Sequence, residues 1–140
     1  MGKHTIVEYF DCNHERLNHI HSLRQIMIAA AQKAGATVID SLFHGFSPHG
    51  ITGVVIVVES HLSIHTWPEY GYAAVDIFTC GDNIKNKEAI EYIKEELECR
   101  SFEIINVRRG RVPSHSVSPE FGSVTIQQES IALSQEAVRE

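Results

Sequence analysis

Three strand-like runs lie almost end to end between residues 51 and 80, and this feature constrains the fold more than any other. The runs are ITGVVIVVE (51–59), HLSIHTW (61–67) and YAAVDIFTC (72–80). The first is dense in β-branched residues, which favour extended chain because they pack well on a pleated surface. We therefore expect this part of the chain to form β-sheet.

Two other segments have the spacing of amphipathic helices. In the first, apolar residues recur every three or four positions over 17–30, between an N-cap expected at Asn13 and a C-cap expected near Gly35. The second helix is expected at 86–98, NKEAIEYIKEELE. Further strand-like runs occur at 3–11, 37–46 and 101–109. This order predicts an α+β two-layer sandwich, in which two helices cover one face of a mainly antiparallel sheet.

The length of 140 residues suits one compact domain with a real core. Residues 112–123, VPSHSVSPEFGS, are rich in Ser, Pro and Gly and are typical of a linker. The segment that follows could form a short helix or stay mobile. We therefore expect a domain at 1–111 and a C-terminal linker and tail at 112–140.

Charge and hydropathy exclude two classes of partner. The net charge of -6 argues against a nucleic-acid binder, which usually presents a basic face. The longest run of purely aliphatic residues, VVIVV, is far too short to span a bilayer, and the first residues do not resemble a signal peptide. We expect a cytoplasmic protein that binds neither nucleic acid nor membrane.

The cysteines and histidines do not have the spacing of a metal site. The three cysteines, Cys12, Cys80 and Cys99, are an odd number, are widely spaced and form no CxxC pair, which argues against a disulfide framework and a thiolate zinc site. Nine histidines are many for this length, but no HExxH pattern is present. We expect no metal.

A hydroxyl, an imidazole and a thiol gather around the strand-like runs, and residue types alone leave their purpose open. Ser60 lacks the GxSxG context of a hydrolase nucleophile. A thiol–imidazole pair of Cys80 and His65 would leave the element Glu59-Ser60-His61 unexplained. Taken singly, the three are typical of a turn serine, a packed histidine and a small buried cysteine.

Longer motifs point to one family. The stretches FHGFSPHGITGVV, ESHLSIHTWPE and GYAAVDIFTCGD resemble the proenzyme motif of the prokaryotic S-adenosylmethionine decarboxylases, and the similarity covers roughly residues 3 to 111. Members of that family are pyruvoyl enzymes that cleave their own chain. The resemblance implies a zymogen cut between Glu59 and Ser60, with a pyruvoyl cofactor made from Ser60.

The resemblance also implies roles for individual side chains. Ser60, once converted to the pyruvoyl group, would form a Schiff base with the substrate amine. His65 would be the proton acceptor in processing, since imidazoles titrate near neutral pH. Thr52, at a position where relatives carry Ser, would stabilise the oxyanion beside Glu59. Cys80 would donate a proton to the substrate α-carbon after CO2 leaves.

Three further positions match family residues that bind the nucleoside substrate. Phe46 corresponds to an aromatic residue that stacks on adenine, and Glu69 to a carboxylate that accepts hydrogen bonds from the ribose hydroxyls. Trp67 is expected near the sulfonium cation. For both aromatic residues, packing in the core is the alternative.

The overall activity implied is that of a carboxy-lyase in polyamine biosynthesis. It would release CO2 from S-adenosylmethionine and so supply the aminopropyl donor for spermidine synthesis. The family works as a homodimer of cleaved protomers, here two chains 1–59 and two chains 60–140, with the active site near the subunit contact. Two alternatives stay open: a pyruvoyl-dependent decarboxylase of ornithine or arginine, and a non-catalytic binding homologue.

Overall fold

One antiparallel sheet organises the described residues, which in this computed structural model are 2–80, 84–110 and 128–133. The sheet has seven strands in the order β2-β3-β4-β5-β1-β6-β7, and every neighbouring pair is antiparallel. The elements along the chain are β1 Gly2–Phe10, α1 Ile20–Lys33, β2 Val38–Gly45, β3 Ile51–Val57, β4 Ser60–Trp67, β5 Tyr72–Cys80, α2 Asn86–Glu96, β6 Ser101–Arg109 and β7 Gln128–Leu133.

The two helices cover one face of this sheet. Alternate side chains along β3, β4 and β5 are buried, as the period of a strand requires when one face is covered. Val55, Ile64 and Ile77 are fully buried there, together with Leu23 of α1 and Ile93 of α2. The predicted α+β two-layer sandwich is confirmed. The opposite face, which we call the open face, has no layer of described chain over it.

The first helix begins later than its periodicity predicts. Asn13 does cap a turn, because its side-chain oxygen accepts hydrogen bonds from the amides of Glu15 and Arg16 at 3.0 and 3.1 Å. That turn is a short 3-10 helix, Arg16–Asn18, and extended backbone at His19 separates it from α1. The predicted C-terminal glycine is correct, since Gly35 follows the helix with φ 86°.

The C-terminal segment differs from the sequence expectation. Residues 128–133 form β7, which pairs with β6 at the sheet edge, where a short helix or mobile chain was expected. The backbone groups of β6 offer this strand a ready template, and that tertiary pairing outweighs the weak local preference of QESIAL for helix. Residues 111–127 and 134–140 lie outside the described residues, so a domain boundary near 111 stays a prediction. Among the described helices none has the length and apolar character needed to cross a membrane.

Candidate active site

The Glu59–Ser60 bond lies in the tightest connection of the sheet. Val57 at the end of β3 pairs directly with Ser60 at the start of β4, so only Val58 and Glu59 form the loop. Glu59 has φ 70°, a left-handed conformation in which its Cβ crowds the backbone. Such a conformation stores about 1–3 kcal/mol at a non-glycine residue, and functional sites are where it is usually retained. The predicted scissile bond is therefore strained and held on both sides by strands.

The Cys80 thiol lies against the same bond. Its Sγ is 3.6 Å from the carbonyl oxygen of Glu59, and the thiol is the donor in this contact. Cys80 is the last residue of β5, which pairs with β4, and its side chain is half-buried. We call Glu59, Ser60 and Cys80 the cleavage cluster. It fits the formation of a pyruvoyl group, because Ser60 directly follows a strained residue and a thiol lies against the carbonyl between them.

Thr52 and His65 form a second cluster on the neighbouring strands. They are cross-strand partners on β3 and β4, and a hydrogen bond joins Thr52 Oγ1 and His65 Nδ1 at 3.0 Å. The His65 ring lies 6.4 Å from the ring of Trp67. A hydroxyl fixed on an imidazole can relay a proton and hydrogen-bond an oxyanion, so the pair has the chemistry expected for chain processing.

The predicted substrate residues surround a cavity of about 330 Å³ beside this pair. Phe46, Trp67 and Glu69 all line it, and so do Thr52 and His65. Phe46 is 51% and Trp67 39% exposed, so neither is a core residue. The two aromatic rings and the carboxylate are therefore available to a ligand, and we call this cavity the aromatic pocket.

One lining residue was missed by sequence reasoning. His49 Nε2 lies 3.0 Å from Glu69 Oε1 at the rim of the aromatic pocket. The stretch SPHG, residues 47–50, was interpreted only as a turn, and nothing in its local pattern indicates a partner twenty positions away. The contact arises because the loop before β3 and the 3-10 helix after β4, Pro68–Tyr70, meet at one end of the sheet. His49 thereby fixes the orientation of the Glu69 carboxylate.

Within one chain the two clusters are far apart. Ser60 begins β4 and His65 is five residues further along. At roughly 3.3 Å per residue, the two positions are separated by about 16 Å. The structure therefore places Cys80 against the Glu59 carbonyl that precedes Ser60, and brings His65 together with Thr52 and the aromatic pocket. It does not bring His65 to the Ser60 of the same chain.

Both clusters present side chains to the open face. Thr52, His65 and Cys80 occupy the half-exposed positions that alternate with core residues on β3, β4 and β5. The same face carries Leu42 and Ile56, which are 70% and 44% exposed. Large apolar side chains on an open sheet face are typical of a surface that another protein covers.

Polar groups lie between the two clusters on this face. Asp76 contacts His4 Nε2 at 3.0 Å and accepts a hydrogen bond from Ser63 at 3.4 Å. Tyr72 donates its hydroxyl proton to Glu8. Burial, and then this hydrogen bond, raise the pKa of Tyr72 well above the ordinary value for a phenol, so it stays a neutral donor. Across the described ranges, no three His, Cys, Asp or Glu side chains are grouped as metal ligands.

Comparisons with known proteins agree on one family. The family described as S-adenosylmethionine decarboxylase matches residues 3–110. The chain is 51% identical over 110 residues to the S-adenosylmethionine decarboxylase proenzyme of Thermodesulfovibrio yellowstonii, covering 79% of this chain and 82% of that one. It is 50% identical over 110 residues to the proenzyme of Pseudomonas aeruginosa, covering 79% and 69%.

A solved structure extends the likeness to three dimensions. The crystal structure of the adenosylmethionine decarboxylase from Aquifex aeolicus superimposes with a TM-score of 0.75 at 35% identity. The match covers 84% of this chain and 98% of that one. Matched motifs, an identity near one half and a shared fold leave one conclusion: the chain belongs to the S-adenosylmethionine decarboxylase family.

Proposed function

We propose that this chain is a self-processing, pyruvoyl-dependent S-adenosylmethionine decarboxylase. The observation that carries the proposal is the Glu59–Ser60 bond, which lies in a two-residue turn with Glu59 at φ 70° and the Cys80 thiol 3.6 Å from the Glu59 carbonyl oxygen. Family membership supplies the reaction class. The arrangement of the described residues supports the individual roles that follow.

Processing begins at the strained turn. The Ser60 hydroxyl attacks the Glu59 carbonyl carbon, the peptide nitrogen leaves, and an ester joins the two residues. Removal of the Ser60 α-proton then breaks the bond between Cβ and the ester oxygen, and Glu59 departs as a carboxylate. The dehydroalanine left at position 60 takes up water and loses ammonia, which yields the pyruvoyl group. Strain in the turn favours attack because the cut releases it, and fixed geometry lowers the entropic cost of attack.

Thr52 and His65 have the residue types for the oxyanion and proton steps, but their separation from Ser60 requires a second copy. If two chains pack their open faces together about a two-fold axis, the cleavage cluster of each can meet the aromatic pocket of the other. Such packing also buries Leu42 and Ile56. We therefore assign a homodimer of cleaved protomers, two chains 1–59 and two chains 60–140, with two composite sites.

In the mature enzyme the pyruvoyl group supplies an electron sink for loss of CO2. Cys80 supplies the proton that the substrate α-carbon then requires. Phe46 stacks on the adenine, and the face of Trp67 attracts the sulfonium cation. Glu69, oriented by His49, accepts hydrogen bonds from the ribose hydroxyls.

The alternatives explain fewer features. A decarboxylase of ornithine or arginine has no nucleoside to fill a pocket with two exposed aromatic rings. A non-catalytic homologue has no need of a strained serine turn with a thiol against it. The reported relatives are named as S-adenosylmethionine decarboxylase proenzymes, which further favours the first assignment.

Intact-mass analysis of the purified protein on a denaturing separation tests the proposal. We expect fragments 1–59 and 60–140, the second gaining the mass of a hydrazone with phenylhydrazine, and a single chain from the Ser60→Ala variant. Release of labelled CO2 should occur from S-adenosylmethionine and not from ornithine or arginine. A single uncleaved chain without CO2 release from any of the three would refute the assignment.

A further inference from the structure

We propose that self-cleavage creates the hydrogen-bond partner that Cys80 uses in catalysis: the new α-carboxylate of Glu59 accepts a hydrogen bond from the thiol and so keeps the proton on sulfur. The inference rests on the proposed function, because it requires the cut between Glu59 and Ser60. It makes Glu59 a positioning residue that acts through Cys80. It also links chain cleavage to the protonation of Cys80, the proposed general acid.

The contact that becomes this hydrogen bond already exists. Cys80 Sγ lies 3.6 Å from the oxygen of Glu59, and this is the carbonyl that the Ser60 hydroxyl attacks. After the cut that oxygen is one of two in a carboxylate, and the second comes from the Ser60 side chain. A neutral acceptor is thereby replaced by a charged one, and hydrogen bonds to charged groups are roughly twice as strong.

The new carboxylate is held close to the thiol. Val57, two residues before Glu59, pairs with Val38 on one side and with Ser60 on the other. The ladder between β2 and β3 does not include the cut bond, so it survives processing. The Val58 amide also donates to the Thr37 carbonyl at 2.9 Å, so Glu59 is tethered one residue beyond held backbone and its carboxylate stays at the end of β5.

The surroundings of Cys80 make a nearby negative charge useful. Arg109 on β6 lies over the Phe78 ring, 4.7 Å from its centroid, and Phe78 precedes Cys80 by two positions on the same face. His4 on β1 and His61 on β4 flank that ring with centroid distances of 5.9 and 5.8 Å.

A guanidinium near a thiol favours the thiolate, which cannot donate a proton. Within the described residues, the carboxylates on this face include Asp76, which His4 engages, Glu8, which accepts from Tyr72, and Glu103, which pairs with Glu8 across β1 and β6. The α-carboxylate adds a negative charge directly at the sulfur, and a negative charge there favours the protonated form that catalysis needs.

The test measures Cys80 itself. Alkylation by iodoacetamide is followed by peptide mass spectrometry from about pH 6 to about pH 10, a range that brackets the titration of ordinary thiols. The processed protein is compared with the uncleaved Ser60→Ala precursor. We expect the half-maximal rate at a pH about one unit higher after processing, equivalent to a roughly tenfold slower reaction below the midpoint.

Three comparisons separate the effect of charge from the effects of access, of the keto group and of the Glu59 side chain. If cleavage only opens the site, the plateau rate at high pH rises and the midpoint does not move. Borohydride reduction of the keto group in the processed protein removes its reaction with the thiol as an explanation. Glu59→Gln keeps the α-carboxylate and should keep the shift.

The masses measured on the same samples report the cut, so an uncleaved chain contradicts the proposed function. A cleaved chain with an unmoved or lowered midpoint overturns only this inference, and so does loss of the shift in Glu59→Gln.

Discussion

Thr52 Oγ1 and His65 Nδ1 lie 3.0 Å apart across β3 and β4, at the opposite end of β4 from Ser60. Within one chain, the Thr52–His65 pair is therefore too far from the Glu59–Ser60 bond to act on it. In the proposed dimer each chain would carry one half of two sites, and genetic complementation tests this composite arrangement.

Co-expression of His65→Ala with Ser60→Ala should restore cleavage that neither variant supports alone. In a mixed dimer the intact Ser60 of one chain meets the intact His65 of the other, so one site of two is complete. Intact mass should show fragments from the His65→Ala chain only.

Cys80→Ala with Ser60→Ala is the matched control, read by CO2 release. Both changes lie in the cleavage cluster, so no mixed dimer contains a complete site for decarboxylation. Rescue in this control, or its absence in the first pair, contradicts a site shared between chains.

Glu59→Gly should slow self-cleavage relative to Glu59→Ala. Both changes remove the carboxylate side chain, but only glycine adopts φ 70° without strain. In a Ser60→Ala background, where the precursor stays intact, Gly should raise the free energy of unfolding over Ala by about 1–2 kcal/mol. Urea unfolding and the half-time of fragment formation give the two quantities; equal values for Gly and Ala argue against strain as a driving force.

Cys80→Ala should leave cleavage largely intact and lower kcat, because the thiol is assigned to proton donation and not to attack on the chain. A general acid contributes about 10²- to 10⁴-fold, which sets the expected loss. Fragment masses and CO2 release are measured on one preparation. Loss of cleavage would show that Cys80 takes part in processing.

His49→Gln should raise the KM for S-adenosylmethionine about two- to fivefold with little change in kcat or in processing. The pair that orients Glu69 is half-exposed, and exposed pairs of this kind are worth about 0.2–1 kcal/mol. Glu69→Gln, which removes the carboxylate itself, should have a larger effect on KM. An effect of His49→Gln on kcat with an unchanged KM would contradict a role for this histidine in orienting Glu69.

Gly53→Ala should destabilise the fold by about 1–3 kcal/mol, the usual cost of overpacking a core. A Cβ at Gly53 would overlap the Phe43 ring, which covers this glycine from β2. Gly45→Ala is the control, since its Cβ would meet only Ile20 Cδ1 at 3.8 Å. Thermal unfolding should separate the two variants; equal melting temperatures would mean that Phe43 moves aside freely.

The fold class was predictable because apolar residues recur with clear strand or helix periodicity along the sequence. Alternation along 51–57 and 72–80 and helical spacing along 86–96 each survive in the structure. Boundaries that depend on one residue were less certain: Asn13 caps a turn before α1, and extended backbone at His19 delays the helix. Pairing with β6 decided the conformation of 128–133, and local pattern does not report such partners.

The site was predictable in its residue types and not in its geometry. The motif placed Ser60 and His65 five positions apart, which suggests closeness until strand geometry is applied. Five residues of extended chain span about 16 Å, so the separation was readable once 61–67 was taken as a strand. The pairing of His49 with Glu69 was not readable, because two loops meet only after the sheet has formed.

The strand order has a consequence for the product of the cut. Residues 1–59 supply β1, β2 and β3, whereas β4 to β7 come from the other fragment, and β1 is inserted between β5 and β6. Separating the pieces would require breaking three ladders at once: β3 from β4, β1 from β5 and β1 from β6. Strands of the two polypeptides alternate within one sheet. The two fragments should therefore co-purify, and the cleaved protein should unfold in a single thermal transition.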